Sequence, residues 1–148
     1  MSTILPYTPQ YRDACLAIFH SNRPKFFTED EIALFTRWLD ERCEDNYFVL
    51  ENDSEIIACG GVFYDEATNA AGLSWGMVHS MHHKKGFGKE FTRYRIELMR
   101  RLFPGALYQI NTSQHTVAFY EKMGFHTVKM TPDGYAAGMD RYDMEARL

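Results

Sequence analysis

The stretch HSMHHKKGFGK, residues 79–89, holds three histidines, three lysines and two glycines in eleven positions. The chain around it is acidic, because its 148 residues carry 16 basic and 20 acidic side chains and a formal net charge of −4. Local positive charge in an acidic chain indicates a specific anionic partner. A general binder of nucleic acid is not expected from this overall charge.

The segments on both sides place this stretch between a strand and a helix. AAGLSWGMVHS (70–80) is typical of a β-strand. KEFTRYRIELMRRLF (89–103) has apolar residues at spacings of three and four and stops at Pro104, which predicts an amphipathic helix. The stretch is therefore expected to contain a strand end near Val78, a loop, and a helix start near Gly88.

A loop that leads into the start of a helix is suited to bind a phosphate group. The first backbone N–H groups of a helix have no intrahelical partner and lie at the positive end of its macrodipole, so they stabilise an anion. Gly86 and Gly88 let the main chain approach that anion without a Cβ in the way. Lys84, Lys85 and Lys89 add positive charge around the same point.

Two common phosphate loops do not match this stretch. The G-x-x-x-x-G-K-[ST] loop requires a glycine where this chain has His83, and Ser or Thr where it has Glu90. The G-x-G-x-x-G loop of dinucleotide folds requires a third glycine, and this chain has Phe91 at that position.

The rest of the chain alternates short apolar runs with longer segments of helical period, and it has no internal repeat or linker. This pattern predicts one α/β domain, residues 1–148, with the order β-α-α-β-β-β-α-β-α-β-β. Pro24 is expected to end the first helix, and Thr28 with Glu31 is typical of a capping box that starts the second. The predicted strands are 3–7, 47–52, 55–67, 70–80, 106–112, 125–131 and 139–148, the predicted helices are 9–22, 28–43, 89–103 and 114–123, and a long loop, 132–138, joins the last two strands.

Composition also limits the class of protein. Cys15, Cys43 and Cys59 are an odd number at wide spacing, so buried free thiols in a reducing compartment are expected. No signal-peptide pattern and no apolar run of 18 residues occur, which predicts a soluble, cytoplasmic protein without a membrane partner. The basic run RYRIELMRR (93–101) is expected to be a solvated helix face rather than a nucleic-acid surface.

Two segments together carry a family resemblance. LSWGMVHSMHHKKGFGKEFTRYRIELMRR (73–101) resembles the acetyl-coenzyme A motif of the GNAT superfamily of N-acetyltransferases, in which a strand ending in Val precedes Q/R-x-x-G-x-G/A and a helix. His83 replaces the usual Gln or Arg at the first position of that loop. SQHTVAFYEKMGF (113–125) is similar to the second motif of the family, N-x-x-A-x-x-[LF]-Y-E-K-x-G-F. Two motifs at the proper separation are more specific than either one alone.

The resemblance implies an α/β (α+β) fold: a single GNAT-like domain whose mixed, mostly antiparallel central sheet has about seven strands and about four flanking helices. It implies acetyl-coenzyme A as the cosubstrate and no metal. Ser113 stands where the family commonly has Asn, so Asn111 is kept as the alternative contact for the pantetheine arm. The implied cofactor-binding residues are Met77, Val78, His83, Lys84, Lys85, Gly86, Phe87, Gly88, Lys89, Asn111 and Ser113.

For catalysis, the resemblance implies direct attack of an amine on the thioester in a ternary complex. A backbone amide of Met77 or Val78 would polarise the thioester carbonyl, and Tyr120 would protonate the departing thiolate. The general base stays open between His79, a chain of waters, and a carboxylate of the C-terminal hairpin.

The expected acceptor is a small cationic amine or a peptide N-terminus, because the variable segments of the family are aromatic and acidic in this chain. Asp65 and Glu66 at a hairpin, or Asp140 and Tyr142 on the last strand, are candidates to hold it. The residues of the variable segments are Phe26, Phe27, Glu29, Asp30, Asp133, Tyr135 and Asp140.

Several alternatives stay open at this point. A coenzyme A-binding module with a sensing or regulatory role and no turnover is one, and nucleotide hydrolysis at the glycine loop is another. His79, His82 and His83 form an H-x-x-H-H pattern, but no Cys or carboxylate lies nearby in sequence to complete a metal site. Association into a homodimer through the C-terminal strands, as in many relatives, is also left open.

Overall fold

The computed structural model describes residues 2–23, 27–28, 30–41 and 46–148 of the chain. In these ranges it has seven strands and four α-helices, in the predicted order. Pro24 and Cys43 lie outside the described residues. The elements are β1 (Ser2–Pro6), α1 (Arg12–Ser21), α2 (Glu31–Glu41), β2 (Tyr47–Asn52), β3 (Glu55–Asp65), β4 (Ala70–Val78), α3 (Phe87–Leu102), β5 (Leu107–Thr112), α4 (Val117–Lys122), β6 (His126–Ala136) and β7 (Met139–Ala146), with 3-10 turns at Pro9–Tyr11 and Ser80–His82.

All seven strands belong to one sheet, in the order β1-β2-β3-β4-β5-β7-β6. Every neighbouring pair is antiparallel except β4 and β5, which are parallel. Parallel neighbours need a long crossover, and α3 supplies it. The predicted α/β fold with a mixed, mostly antiparallel sheet is therefore confirmed.

The helices cover both faces of the sheet. Successive residues of a strand point to opposite faces, and Cys59 packs with α1 and α2 whereas its neighbour Ala58 packs with Phe91 of α3. Cys15 and Cys59 are buried free thiols, as predicted. Among the described residues, no helix has the length and apolar character needed to cross a membrane.

The parallel pair of strands separates to form an opening. β4 and β5 pair over three residues only, Ala70–Gly72 against Leu107–Gln109. β4 then continues to Val78 and β5 to Thr112, both within the described part of the chain, without further pairing to each other. The opening lies at the carboxyl ends of two parallel strands, which is where ligands commonly bind in α/β sheets.

A bulge between β3 and β4 redirects β4 beside this opening. The register shifts between Cys59 and Gly61, and Trp75 has a φ of 38°, in the left-handed region. A bulge releases backbone groups from the ladder. Arg95 of α3 satisfies two of the carbonyls there, because its Nε donates to Gly61 O and its Nη2 donates to Ser74 O, each at 3.1 Å.

The burial of Arg95 corrects one prediction from the sequence. Arg95 is 2% exposed, so the solvated face predicted for residues 93–101 is wrong at this position, although the other three arginines of the run are exposed. The guanidinium fits against the sheet because Gly60 and Gly76 have no side chains, and a Cβ on either residue would collide with it.

The last hairpin also differs from the prediction. β6 continues to Ala136, so most of the segment predicted as a loop (132–138) belongs to a strand whose register with β7 is irregular. Asp133 Oδ1 accepts from Gly138 N at 2.8 Å, and Asp133 N donates to Asp140 Oδ1 at 2.9 Å. These bonds hold the Pro- and Gly-containing segment within the hairpin.

Three helices begin later than the sequence predicts, and α1 begins at Arg12 because a 3-10 turn occupies Pro9–Tyr11. α4 begins at Val117, because Ser113 Oγ accepts from His115 N at 3.2 Å and a turn replaces the first predicted helical turn. α2 begins at Glu31, whose carboxylate accepts from Thr28 N at 3.0 Å. That bond is one half of the predicted capping box.

We expect Gly76→Ala to lower the free energy of unfolding by about 1–3 kcal/mol, since the new methyl group would displace a pinned guanidinium. Denaturant unfolding of the variant and the wild type measures the difference. Gly88→Ala is the matched control, because a Cβ there meets only Val78 Cγ2, at 3.8 Å. Equal destabilisation by the two substitutions would contradict the close contact between Gly76 and Arg95.

Candidate functional site

The predicted phosphate loop ends in a left-handed glycine at the start of α3. Gly86 has a φ of 89° and immediately precedes the helix, which begins at Phe87. The first bond of the helix is donated by Glu90 N to Gly86 O, at 3.1 Å, so the amides of residues 87–89 are those that a helix leaves without an intrahelical acceptor. The space in front of Gly88 is open. The loop therefore has the donors and the room for an anion.

Cationic side chains surround this loop. Lys84, Lys85 and Lys89 are exposed. An open groove runs along α3 from Gly86, and Lys89 and Arg93 line it together with two glutamates. The lysines that the sequence singled out are therefore placed to add charge near the helix start.

The three histidines of the loop face different partners. His83 Nε2 lies 2.8 Å from Val78 O, and His82 Nε2 lies 3.8 Å from a carboxylate oxygen of Glu55. His79 Nδ1 accepts from the backbone N–H of Met81 at 3.2 Å. In the described part of the chain, no three metal-ligating side chains come together.

The end of β4 presents one of the two candidate amides to the opening. In an antiparallel pair, positions that bond to the partner strand alternate with positions that face away from it. His79 N donates to Ile57 O of β3 at 2.8 Å, so the amide and carbonyl of Val78 face away from β3, toward the side of β5. The amide of Met77 faces β3. The geometry thus favours Val78 over Met77 as a donor in the opening.

Tyr120 lies on α4, which follows β5. Its ring packs edge-on against Phe125, with centroids 6.2 Å apart, and against the core shared with α3. Its hydroxyl is within electrostatic reach of two other groups, because it raises the pKa of Arg95 against the effect of burial and adds to the raised pKa of Tyr135.

The two candidates for the pantetheine contact already have partners. Asn111 lies on the exposed face of β5, and its Oδ1 accepts a hydrogen bond from the Tyr135 hydroxyl. Ser113 is 5% exposed, and its Oγ accepts from the amide of His115. The role of either residue in binding stays a prediction.

Acidic groups gather around Tyr135 beside Asn111. Burial raises the pKa of Tyr135, Arg141 opposes this effect, and Glu31 and Asp143 add to it, so that the pKa is about 12. Arg141 Nε lies 3.0 Å from Asp143 Oδ1. A protonated phenol of the sheet therefore lies within electrostatic range of two carboxylates, Asp143 of β7 and Glu31 at the start of α2.

Acidic residues among the predicted acceptor contacts lie in two places, the last hairpin and the β3–β4 turn. Asp133 and Asp140 hold the last hairpin. Asp65 caps the β3–β4 turn by accepting from Ala67 N at 3.1 Å, and β4 extends from that turn to Val78, a distance of roughly 26 Å at about 3.3 Å per residue. Asp65 and its neighbour therefore lie at the end of β4 that is distant from Val78, and their role in holding an acceptor stays a prediction.

The aromatic candidates lie nearer the opening. The rings of Phe27 and Trp75 stack with centroids 6.4 Å apart, and Tyr142 packs in the core beneath α3 and α4. Phe26 and Glu29 lie outside the described residues.

Sequence reasoning missed Asn22 and Arg95. Asn22 is 4% exposed, and its Nδ2 donates to Ile18 O at 2.8 Å and to Val78 O at 2.9 Å. Asn22 directly follows α1, so its first bond satisfies a carbonyl of the last helical turn, whereas its bond to Val78 O has no local signal in the sequence. The burial of Arg95 had a signal in the sequence, namely Gly60 and Gly76. A glycine within a strand often marks the close approach of another group.

Comparison with known proteins agrees with this geometry. The family model of the Acetyltransferase (GNAT) family matches residues 12–125, and the chain belongs to this family. Comparison with curated protein sequences gave no match.

Solved structures share the fold at low sequence identity. A GNAT-family protein from Desulfovibrio desulfuricans is 21% identical with a TM-score of 0.81, and each chain covers 99% of the other. The ribosomal-protein-S18-alanine N-acetyltransferase of Escherichia coli is 17% identical with a TM-score of 0.78, covering 99% of this chain and 93% of its own. A spermidine N-acetyltransferase chimera from Vibrio cholerae and hSSAT is 12% identical with a TM-score of 0.73, covering 99% and 95%. At these identities the likeness concerns the fold.

We expect Tyr135 to ionise near pH 12, above the ordinary tyrosine range near pH 10. Since its folded pKa is raised, its contribution to stability is fully present below about pH 10 and is lost as the pH rises toward 12. Ultraviolet titration of phenolate absorbance in the wild type and Tyr135→Phe measures the step, with circular dichroism at each pH as the control for unfolding. A missing step near pH 10 in the variant would contradict the burial of this phenol.

Proposed function

We propose that residues 1–148 form an N-acetyltransferase domain that transfers an acetyl group from acetyl-coenzyme A to a primary amine by direct attack in a ternary complex. The observation that carries this proposal is the opening between β4 and β5. The amide of Val78 lies on one side of it, and Tyr120 follows from the other strand through α4.

The loop residues fit the pyrophosphate of the cosubstrate. Donors come from the amides of residues 87–89 at the start of α3, and the nearby lysines add charge. Gly86 supplies the left-handed conformation that leads into the helix, and the open space in front of Gly88 admits the phosphates. When bound, the cosubstrate supplies an acetyl group activated as a thioester.

Two groups of the chain would act on the thioester. The Val78 amide donates to the carbonyl oxygen, on which negative charge develops as the amine attacks. Tyr120 donates its proton to the departing sulfur, and ordinary tyrosine and thiol groups have comparable acidity. Val78 ends β4 and Tyr120 follows β5 through α4, and the proposal places one bound thioester within reach of both groups.

The acceptor proposed for this site is a small cationic amine or a peptide N-terminus. Glu31 and Asp143 beside Tyr135 would attract an ammonium group. The names of two structural neighbours describe an alanine of a ribosomal protein and spermidine as substrates, and these fall into the same two classes. The proton of the ammonium group would leave through water toward Asp143, the carboxylate of the C-terminal hairpin that faces Tyr135.

A thiol-release assay with acetyl-coenzyme A and a panel of amines tests this function. The panel contains spermidine, an alanine-initiated peptide and free lysine. We expect Tyr120→Phe to lower kcat by about 100-fold or more with a small change in KM, because it removes the general acid and keeps the ring. Tyr64→Phe is the matched control, since Tyr64 is 39% exposed and bonds Asn69 near the β3–β4 turn.

Two other outcomes would replace the proposal. Binding of acetyl-coenzyme A with no thiol release for any amine, and no effect of Tyr120→Phe, would leave a non-catalytic coenzyme A-binding module. Nucleotide binding that coenzyme A does not displace would favour a nucleotide site at the glycine loop.

The loop assignment makes a separate prediction about binding. We expect Gly88→Leu to weaken coenzyme A binding by at least about tenfold, since its side chain fills the space before the amides and one charge-assisted bond is worth roughly 1.5–3 kcal/mol. His82→Ala and His83→Ala should weaken it less, because the amides rather than the imidazoles hold the phosphates. Calorimetric titration ranks the variants, and thermal unfolding checks that each is folded. The reverse ranking would mean that the loop binds through its histidines.

A further inference from the structure

Asn22 is a buried polar residue at the end of α1 that binds a backbone carbonyl beside the opening. It is 4% exposed, and its Nδ2 donates to Ile18 O at 2.8 Å and to Val78 O at 2.9 Å. The bond to Ile18 O satisfies the end of the helix. The bond to Val78 O joins residues 56 positions apart, and it links α1 to the strand that carries the proposed donor to the thioester carbonyl.

A second side chain binds the same carbonyl. His83 Nε2 lies 2.8 Å from Val78 O, and since a carbonyl oxygen can only accept, Nε2 must carry a hydrogen. Asn22 follows α1, which packs on one face of the sheet, whereas His83 lies in the loop that leads into α3 on the other face. A carbonyl oxygen has two lone pairs, so these two donors use its full accepting capacity.

This carbonyl points to the same side of β4 as the amide that is proposed to polarise the thioester. In an antiparallel strand the N–H and the C=O of one residue point the same way, and His79 N donates to Ile57 O on the opposite side, at 2.8 Å. Both polar groups of Val78 therefore face the side of β5. Without its donors, the Val78 carbonyl would place a partial negative charge near the point where the thioester oxygen becomes negative, and the two charges would repel each other.

The two donors also limit the rotation of the backbone. The peptide group between Val78 and His79 is bonded at both ends, because its N–H donates to β3 and its carbonyl binds Asn22 and His83. Turning the Val78 amide out of the opening requires rotation about the bonds next to this fixed group. A donor held in this way needs little reorganisation when charge develops on the thioester oxygen.

We propose that Asn22 and His83 are positioning residues of the Val78 amide: by occupying the Val78 carbonyl, they fix the strand end and neutralise a repelling charge beside the thioester oxygen. This inference rests on the proposed function. It gives the His83 side chain a role at the strand end, distinct from the binding of phosphates by the loop amides. In this role neither side chain contacts the reacting atoms, so its substitution weakens the contact with the thioester and leaves the phosphate contacts in place.

Two unreactive analogues of acetyl-coenzyme A test the proposal without turnover. One is the ketone in which a methylene group replaces the sulfur, and the other is S-ethyl-coenzyme A, which lacks the carbonyl oxygen. The ratio of their two Kd values, measured by calorimetric titration, gives the preference for the carbonyl. We expect this preference to fall at least about threefold in Asn22→Leu and at least about twofold in His83→Ala, since part of one hydrogen bond is lost. The affinity for S-ethyl-coenzyme A should change by less than about twofold.

A structural role alone gives a different pattern. If Asn22 and His83 only stabilise the fold, both analogues lose affinity by the same factor or neither does, and the preference is unchanged in both variants. That result would overturn the proposal. If circular dichroism shows that Asn22→Leu does not fold, His83→Ala decides the question by itself, because the His83 side chain is only half-buried.

The kinetics of the proposed reaction give a second readout. We expect Asn22→Leu to lower kcat by at least about tenfold and to change KM for acetyl-coenzyme A by less than about twofold. Thr36→Val is the matched control, because Thr36 Oγ1 donates to Ile32 O of α2 at 2.7 Å and its loss also removes one side-chain bond to a helical carbonyl. An equal fall of kcat in the two variants would contradict the role of Asn22.

The two readouts separate this inference from the proposed function. A chain that releases no thiol for any amine, but loses its preference for the ketone in Asn22→Leu, would contradict the proposed function and retain the role of Asn22 at the bound carbonyl. A chain that releases thiol, and whose preference and kcat do not respond to either substitution, would retain the function and overturn the inference.

Discussion

The guanidinium of Arg95 replaces backbone hydrogen bonds at the point where the ladder between β3 and β4 is interrupted. A bulge in the middle of a sheet leaves carbonyls that must be satisfied in a region without water. A long side chain from the covering helix does this here, and two glycines of the sheet make room for it. The bonds of Arg95 therefore stabilise the change in direction by which β4 separates from β5.

The end of β4 stays paired with β3 on one side, and side chains hold it on the side where its pairing with β5 has ended. Val78 O accepts from Asn22 Nδ2 at 2.9 Å and lies 2.8 Å from His83 Nε2. Ser80 N donates to Ser21 Oγ at 3.0 Å, so the end of α1 supports the segment that follows β4. These bonds fix the peptide group that follows Val78, and a fixed backbone next to the Val78 amide is what a preorganised donor requires.

The order of the elements was predictable because each one has a local signal. Hydrophobic periodicity, capping residues and turn residues lie within each element or next to it. They predict all seven strands and four helices of the described chain. The late starts and the long β6 depend on side-chain bonds such as those of Asp133 and Ser113. A turn formed by such bonds competes with a helix or a loop at nearly equal free energy, so sequence pattern alone does not separate them.

The site was predictable only where it lies in one continuous segment. The glycine loop and Tyr120 lie in motifs whose residues are close together in the sequence. The burial of Arg95 depends on Gly60 and Gly76, which lie far from it in sequence. In the same way, strand register decides that Asp143 rather than Asp65 lies beside Asn111, and acidic composition does not distinguish the two.

These distant residues give the opening an electrostatic direction that suits the proposed reaction. During acetyl transfer the attacking nitrogen becomes more positive and the leaving sulfur more negative. Asp143 and Glu31 act to raise the pKa of Tyr135, on the side proposed for the acceptor, whereas the buried Arg95 bonds Ser74 O of β4. Fixed charges of this kind lower the barrier without reorganising during the step. The buried cation Arg95, which would contribute little to stability by its charge alone, satisfies carbonyls at the bulge beside this opening.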